Sequence, residues 1–128
     1  MNASGCERTV LIVEDDADIR GAIAEALMDE NYRALEASNG ADALGELRAA
    51  PSPPCVILLD VMMPVMDGTE FRSVQRHDET LRGIPVVVLS AHADASVFAK
   101  QMEADDFLKK PVDLVTLLRT VEQFCARD

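Results

Sequence analysis

One carboxylate, Asp60, stands where an apolar segment of the chain stops and a loop begins. The letters CVILL precede it, and the loop VMMPVMDG follows it. Such an apolar run predicts a buried strand, and ligands of open parallel sheets bind beyond the carboxyl ends of their strands. Asp60 is therefore better placed for chemistry than for packing.

Polar groups end three further apolar segments. The letters VLIV are followed by Glu14, Asp15 and Asp16, and the letters PVVVL are followed by Ser90. A shorter segment, FLK, is followed by Lys110 and then by proline. If these segments are parallel strands, their carboxyl ends share one edge of a sheet. Acids, a hydroxyl and an ammonium group would then meet along that edge.

The segments between these ends show helical spacing. Apolar residues recur three and four positions apart within 19–27, 43–47, 71–74, 97–102 and 114–125. Asp16 and Asp113 stand where the N-caps of two of these helices are expected. A weaker strand is predicted over 32–37, so strand and helix alternate five times.

This alternation predicts an α/β fold with one parallel sheet, because parallel strands need long crossovers and helices usually supply them. The architecture we expect is a flavodoxin-like, doubly wound, three-layer sandwich. Its sheet would have five parallel strands in the order 2-1-3-4-5. The chain has no Gly-rich phosphate loop, which argues against a nucleotide-binding enzyme.

Composition limits the classes of partner and compartment. The 128 residues fit one domain, which we expect to span 1–128 with a short N-terminal extension over 1–8. The net charge of −11 disfavours direct contact with nucleic acid or anionic membrane and favours protein partners. The N-terminus has no apolar h-region, and the three cysteines lack metal-binding spacing. We expect a cytoplasmic protein with reduced thiols.

Four separated motifs together resemble the receiver domain of response regulators, the phosphoacceptor module of two-component signalling. They are VEDD at 13–16, DVMMP followed by DG at 60–68, LSA at 89–91 and KP at 110–111. The similarity covers roughly 8–127. Each motif alone is weak evidence, but the four in this order are highly specific.

The resemblance implies that Asp60 accepts a phosphoryl group from a phosphohistidine. The donor would be a histidine kinase or a histidine phosphotransfer protein. Mg²⁺ would be held by Glu14, Asp15, Asp60 and the backbone carbonyl of Met62. The chain would then be a self-phosphorylating phosphoacceptor with autophosphatase activity, and not an enzyme that turns over external substrates.

The chemistry of these residue types agrees with that role. Three carboxylates drawn together repel one another and raise each other's pKa unless a cation lies among them. Mg²⁺ prefers oxygen ligands and commonly bridges carboxylates to a phosphoryl oxygen. In phosphoryl transfer the protein supplies mainly position and positive charge, which Lys110 carries here.

The resemblance also assigns residues to phosphoryl binding and switching. Ser90, Ala91 and Lys110 would contact the phosphoryl oxygens, and Ser90 would move with Phe107 as a coupled switch. The surface formed by the fourth helix, the fifth strand and the fifth helix would then bind a downstream protein.

Met62 and His92, each two positions beyond a site residue, would tune autodephosphorylation. An exposed loop histidine without that task is an equal reading of His92, and Phe107 is also compatible with an ordinary core position. Lys109 is expected to be solvated.

The chain departs from the family pattern before the last strand. Glu103 stands where a glycine is frequent, and the interval from Ser90 to Lys110 is short, so we expect a shortened or shifted fourth helix. One alternative function is a receiver-like interaction module that works without phosphorylation. A Mg²⁺-dependent phosphohydrolase is disfavoured because the chain has neither a second general acid nor a substrate-binding cap.

Overall fold

Strands and helices alternate along the described part of the chain, residues 8–91 and 95–125 of a computed structural model. The strands of these residues are β1 (Thr9–Val13), β2 (Arg33–Ala37), β3 (Val56–Asp60), β4 (Val86–Ser90) and β5 (Asp106–Lys109). The helices are α1 (Ala17–Asp29), α2 (Gly40–Ala49), α3 (Gly68–Arg76), α4 (Ala95–Gln101) and α5 (Leu114–Phe124). The predicted order of elements is confirmed.

The five strands form one parallel sheet in the order β2-β1-β3-β4-β5. This confirms the predicted fold class and strand order. Every residue of β1, β3 and β4 is buried, as expected for parallel strands covered on both faces. The edge strands β2 and β5 are only partly buried, which explains their weak hydrophobic signal in the sequence.

Each face of the sheet has its own apolar core. Alternate strand residues such as Leu11 and Ile57 pack with residues of α2, α3 and α4. Their neighbours Val10 and Leu58 pack on the other face with residues of α1 and α5. This period of two fixes the register of the strands and therefore which strand ends lie side by side.

Side-chain caps begin four of the helices. Asp16 accepts hydrogen bonds at the start of α1 and Asp113 does so at the start of α5, which confirms both predicted N-caps. Asn39 caps α2, and Asp67 forms a capping box with Glu70 at α3. The sequence prediction did not include these last two caps. The letters DGTE at 67–70 nevertheless show the spacing of a capping box, with an acid at the N-cap and a second acid three positions later.

A buried guanidinium holds the connection between α4 and β5. Arg72 of α3 donates to the carbonyls of Met102, at 2.9 Å, and of Glu103, at 2.6 Å. Glu103 adopts a left-handed conformation with φ of 53°, and its carboxylate pairs with Arg76 at 2.8 Å. Two arginines of α3 therefore stabilise a backbone position that glycine would favour. Helix α4 is described over Ala95–Gln101, directly after residues that lie outside the described part of the chain, so the expected shortening stays a prediction.

Two cysteines at the amino end of the sheet form a disulfide. Cys55 directly precedes β3, Cys125 caps the end of α5, and their Cα atoms are 5.3 Å apart. The expectation of reduced thiols is therefore wrong for this pair, because folding brings together residues that are 70 positions apart in the chain. Cys6 lies outside the described residues. None of the described helices has the length and apolarity that a membrane crossing requires.

Candidate functional site

Asp60 is the last residue of β3 and is 4% exposed. Its Oδ1 atom accepts a hydrogen bond of 3.3 Å from the backbone N–H of Met62. The central position of β3 in the sheet sets this carboxylate between the ends of β1 and β4. Asp60 thus occupies the edge at which ligands of such sheets bind.

Two further acids lie beside Asp60 at the end of β1. Glu14 is 1% exposed, and its Oε2 atom accepts a hydrogen bond of 3.1 Å from the backbone N–H of Asp16. Asp15 is exposed. Carboxylate oxygens of Glu14, Asp15 and Asp60 all lie within 4.8 Å of one another. This all-oxygen donor set fits Mg²⁺, which prefers carboxylates and keeps part of its water shell.

Lys110 brings positive charge to the same carboxylates. Its Nζ atom is 2.6 Å from Glu14 Oε1 and 3.3 Å from Asp60 Oδ2. The Lys110 backbone N–H donates to the carbonyl of Ser90 at 2.9 Å, so the end of β4 fixes where the lysine leaves the sheet. The Lys110–Pro111 peptide bond is cis, a point that the sequence left open.

Burial and mutual repulsion change the proton affinities in this cluster. Burial, followed by the nearby Glu14 carboxylate, raises the pKa of Asp60 to about 7, while Lys110 opposes the shift. For Lys110, burial acts to lower the pKa, but its contacts with Glu14 and Asp60 outweigh burial and the pKa is raised. Lys110 therefore stays cationic at neutral pH, and Asp60 is readily protonated unless more positive charge is bound.

The acids and the lysine open onto a cleft of about 470 Å³. Ser90, which ends β4 and is 3% exposed, and the exposed Ala91 line its other side. The cleft is also lined by Ile19 and Phe98, which the sequence interpretation did not single out. The predicted residues Glu14, Asp15, Asp60, Ser90, Ala91 and Lys110 are thus brought together around one opening.

The loop from β3 to α3 is held by backbone hydrogen bonds. The Val61 N–H donates to Leu89 at 3.3 Å, and the Gly68 N–H donates to Val61 at 2.9 Å. A Cβ atom on Gly68 would lie 2.5 Å from the backbone oxygen of Asp60. Only glycine allows this approach, so Gly68 helps to fix the segment that carries Asp60. The DG letters at 67–68 belong to the family motif, but the sequence alone does not predict this contact.

The remaining predicted residues are Met62, Phe107 and His92. Met62 is 75% exposed at the rim of the cleft. Phe107 on β5 is 36% exposed, so the alternative that it is an ordinary core residue is wrong. His92 lies outside the described residues. The role of the Met62 carbonyl as a metal ligand stays a prediction.

The family model for the response regulator receiver domain matches residues 10–122, which is most of the chain. The chain belongs to this family. Receiver domains bind Mg²⁺ in an acidic pocket and interact with histidine kinases or phosphotransfer proteins. The resemblance inferred from the four motifs is therefore confirmed.

Several curated proteins are similar to this receiver domain over part of their length. The phosphate regulon transcriptional regulatory protein PhoB of Pseudomonas aeruginosa is 36% identical over 119 residues, which are 89% of this chain and 51% of PhoB. The DNA-binding transcriptional regulator NtrC of Escherichia coli is 36% identical over 118 residues, 89% of this chain and 24% of NtrC. The chain thus spans about half and about a quarter of these relatives.

Solved receiver structures share the fold over nearly their whole length. The chemotaxis response regulator CheY4 of Vibrio cholerae has a TM-score of 0.82 at 31% identity, with 92% of this chain and 98% of CheY4 covered. The receiver domain of a signal transduction histidine kinase from Syntrophus aciditrophicus has a TM-score of 0.82 at 30% identity, with 92% and 89% covered. The described fold is therefore that of a receiver domain.

Proposed function

We propose that this receiver domain accepts a phosphoryl group on Asp60 from a phosphohistidine, with Mg²⁺ bound beside it. The observation that carries the proposal is the convergence of three carboxylates with the Lys110 ammonium, 3.3 Å from Asp60 Oδ2. An anionic phosphoryl group can approach such an acidic site only if cations balance the charge. Lys110 supplies one positive charge, and the oxygen donor set is suited to hold a second.

The reaction would be a nucleophilic displacement at phosphorus. A carboxylate oxygen of Asp60 forms the new P–O bond while the P–N bond to the donor imidazole breaks, and the bonding electron pair stays on that nitrogen. Glu14, Asp15, Asp60 and the Met62 carbonyl would hold Mg²⁺, which when bound neutralises charge on the phosphoryl oxygens. Ser90, Ala91 and Lys110 would contact those oxygens.

Loss of the phosphoryl group would follow by attack of water on the aspartyl phosphate. Met62 is 75% exposed and lines the cleft, which supports an influence of its side chain on the entry of water. We propose that Met62 and His92 set the lifetime of the phosphorylated state. Replacing either residue should change the decay rate, and wild-type decay in both variants would contradict this role.

Phosphorylation would act on a protein partner through Ser90 and Phe107. Ser90 would follow a phosphoryl oxygen, and the outward Phe107 would turn into the space that Ser90 leaves. Each element of the proposed output surface carries an exposed apolar side chain: Val97 on α4, Phe107 on β5, and Leu114 and Val115 on α5. Exposed apolar side chains of this size support a protein target for this surface. The phosphoryl group must favour the inward state by a few kcal/mol to switch it decisively.

Lys110 offers a test of this coupling. Replacing Lys110 with Ala should leave Mg²⁺ binding largely intact, because the acids that form the donor set remain. The phosphorylated variant should bind its partner more weakly than phosphorylated wild type, because a contact to the phosphoryl oxygens is lost. Equal partner binding by both phosphorylated proteins would argue against a switching role for Lys110.

The proposed function is tested by the intact mass of the protein after incubation with acetyl phosphate. We expect a gain of one phosphoryl group that requires Mg²⁺ and is absent from Asp60→Asn. If neither acetyl phosphate nor a panel of phosphorylated histidine kinases gives this gain, the phosphorylation-independent interaction module becomes the better account.

A further inference from the structure

Arg20 on α1 lies outside the cleft but contacts the backbone of a predicted metal-binding residue. Its Nη1 atom donates a hydrogen bond of 2.7 Å to the carbonyl oxygen of Glu14. Its Nε atom pairs with Glu36 Oε1 of β2 at 3.1 Å. The Arg20 side chain is 19% exposed and that of Glu36 is 45% exposed. The contact to the Glu14 carbonyl is therefore partly buried, whereas the ion pair with Glu36 is open to water. One guanidinium thus joins the loop after β1 to strand β2.

The contact to the Glu14 carbonyl completes a set of restraints on that residue. The Glu14 N–H donates to the carbonyl of Ala37 on β2 at 3.0 Å, and the Glu14 side chain accepts from the Asp16 N–H at 3.1 Å. The carbonyl bound by Arg20 belongs to the peptide unit that joins Glu14 to Asp15. Because a peptide unit is planar, fixing its oxygen also fixes the direction in which the Asp15 backbone continues.

We infer that Arg20 is a positioning residue for Mg²⁺, acting through the backbone between Glu14 and Asp15. The inference deepens the proposed function and rests on its metal site. Arg20 itself reaches neither the cleft lining nor the donor oxygens. Its effect is to keep the Glu14 and Asp15 carboxylates close to Asp60 before the cation arrives.

Such a restraint matters because the three acids repel one another when no cation is bound. A loose loop would relieve this repulsion by moving Asp15, the exposed member, away from Glu14 and Asp60. The loop would then have to be ordered again whenever Mg²⁺ binds, which weakens binding. Two adjacent residues of strand β2 oppose this movement. Glu36 holds Arg20 by an ion pair, and the carbonyl of Ala37 accepts a hydrogen bond from the Glu14 N–H.

A competing explanation is that Arg20 and Glu36 form only a surface ion pair. Exposed ion pairs contribute little to stability, and such a pair would have no effect on the metal. Arg48 provides a matched control, because it pairs with Asp78 at 3.8 Å, is 60% exposed and is not among the residues that line the acidic cleft. The two arginines should therefore differ in their effect on Mg²⁺ and resemble each other in their modest effect on stability.

The test is Mg²⁺ titration by isothermal calorimetry of wild type, Arg20→Ala, Arg20→Lys and Arg48→Ala. We expect Arg20→Ala to raise the Kd for Mg²⁺ about tenfold, with Arg20→Lys within about threefold of wild type because an ammonium can still donate to the carbonyl. Arg48→Ala should match wild type. An unchanged Kd in Arg20→Ala would overturn the inference. If circular dichroism shows that Arg20→Ala is unfolded, Arg20→Gln takes its place under the same criterion.

A second readout separates positioning from catalysis. The rate of phosphorylation by acetyl phosphate is measured against Mg²⁺ concentration for wild type and Arg20→Ala. The half-saturating Mg²⁺ concentration should rise in the variant while the maximal rate stays near that of wild type, because Asp60 and Lys110 are untouched. A lower maximal rate with unchanged half-saturation would overturn the inference. Failure of wild type itself to bind Mg²⁺ would instead remove the proposed function, and this inference with it.

Discussion

The two ends of the sheet are built on opposite physical principles. At the carboxyl end, Glu14 and Asp60 are buried acids held beside Lys110, and burial raises the pKa of Asp60 to about 7. At the amino end, the Cys55–Cys125 disulfide ties the entry of β3 to the end of α5. The carboxyl end holds buried charges close together, which lowers stability but suits the binding of a cation and an anion. The amino end restrains the chain and takes no part in that chemistry.

The largest expected effect on stability comes from removing the disulfide at the amino end of the sheet. Reduction of the Cys55–Cys125 disulfide removes a restraint between residues 70 positions apart, which in the chain-entropy model is worth about 4 kcal/mol. We expect thermal unfolding under dithiothreitol to occur well below the Tm of the oxidised protein. Phosphorylation at Asp60 should change little, because the bond lies at the far end of β3.

The control for this prediction is the double variant Cys55→Ala with Cys125→Ala. Its Tm should be the same with and without dithiothreitol. If the wild-type Tm is also insensitive to dithiothreitol, the two thiols are not joined in solution. The contrast between the two ends would then rest on packing alone.

A smaller but more local effect is expected from Gly68 at the carboxyl end. In Gly68→Ala the new Cβ would meet the backbone oxygen of Asp60 at 2.5 Å, so the segment must shift. We expect the free energy of unfolding to fall by about 1–3 kcal/mol, as is usual for overpacking, and phosphorylation to become slower. Denaturant unfolding and the acetyl phosphate rate measure the two effects.

Gly45→Ala is the matched control for the Gly68 variant. Gly45 lies in α2, and a Cβ atom there would meet nothing within 4 Å. This substitution should be neutral or slightly stabilising, since Ala favours a helix by up to about 1 kcal/mol over Gly. Equal losses of stability and of phosphorylation rate in both variants would show that the close approach of Gly68 to Asp60 contributes to neither.

The smallest effect tests the electrostatic cost of the carboxyl end. The pKa of Asp60 is about 7 in the folded protein and near the ordinary value of 3.8 when unfolded, so the folded state binds the proton more tightly. Without Mg²⁺, this group's contribution to stability is full below about pH 4 and is lost as the pH rises through about 7. Asp60→Asn should therefore be more stable than wild type at pH 8 in EDTA.

We expect this difference to be about 1–2 kcal/mol, less than the pKa shift alone would give, because solvent reaches the cleft. It should shrink towards zero near pH 4 and also when Mg²⁺ is added to wild type at pH 8. Denaturant unfolding of both proteins across this pH range provides the measurement. A difference that does not depend on pH would mean that burial of Asp60 carries no electrostatic cost.

The two ends also differ in how far the sequence predicts them. At the carboxyl end, residue type marks each position, since an acid, a hydroxyl or a lysine directly follows an apolar strand. Strand order then brings Asp60, Glu14 and Lys110 together, as predicted. The disulfide was missed because thiols 70 positions apart carry no spacing signal.

Contacts to the backbone were the other gap in the sequence prediction. Arg20 and Arg72 act on carbonyl oxygens of Glu14, Met102 and Glu103, and every residue type has a carbonyl. No pattern of side chains therefore reveals these contacts before the fold is known. The capping box of Asp67 and Glu70 is different, because the spacing of its two acids is visible in the sequence.

The central claim is that Asp60, at the carboxyl end of the sheet, is the phosphoacceptor. Reductive mapping of the phosphorylated residue tests this claim most directly. The protein is phosphorylated with a phosphohistidine donor and Mg²⁺, treated with borohydride to reduce the acyl phosphate, digested, and sequenced by mass spectrometry. The account predicts homoserine at position 60 and at no other aspartate. Homoserine at a different position, or a phosphorylated protein with no reducible site, would contradict it.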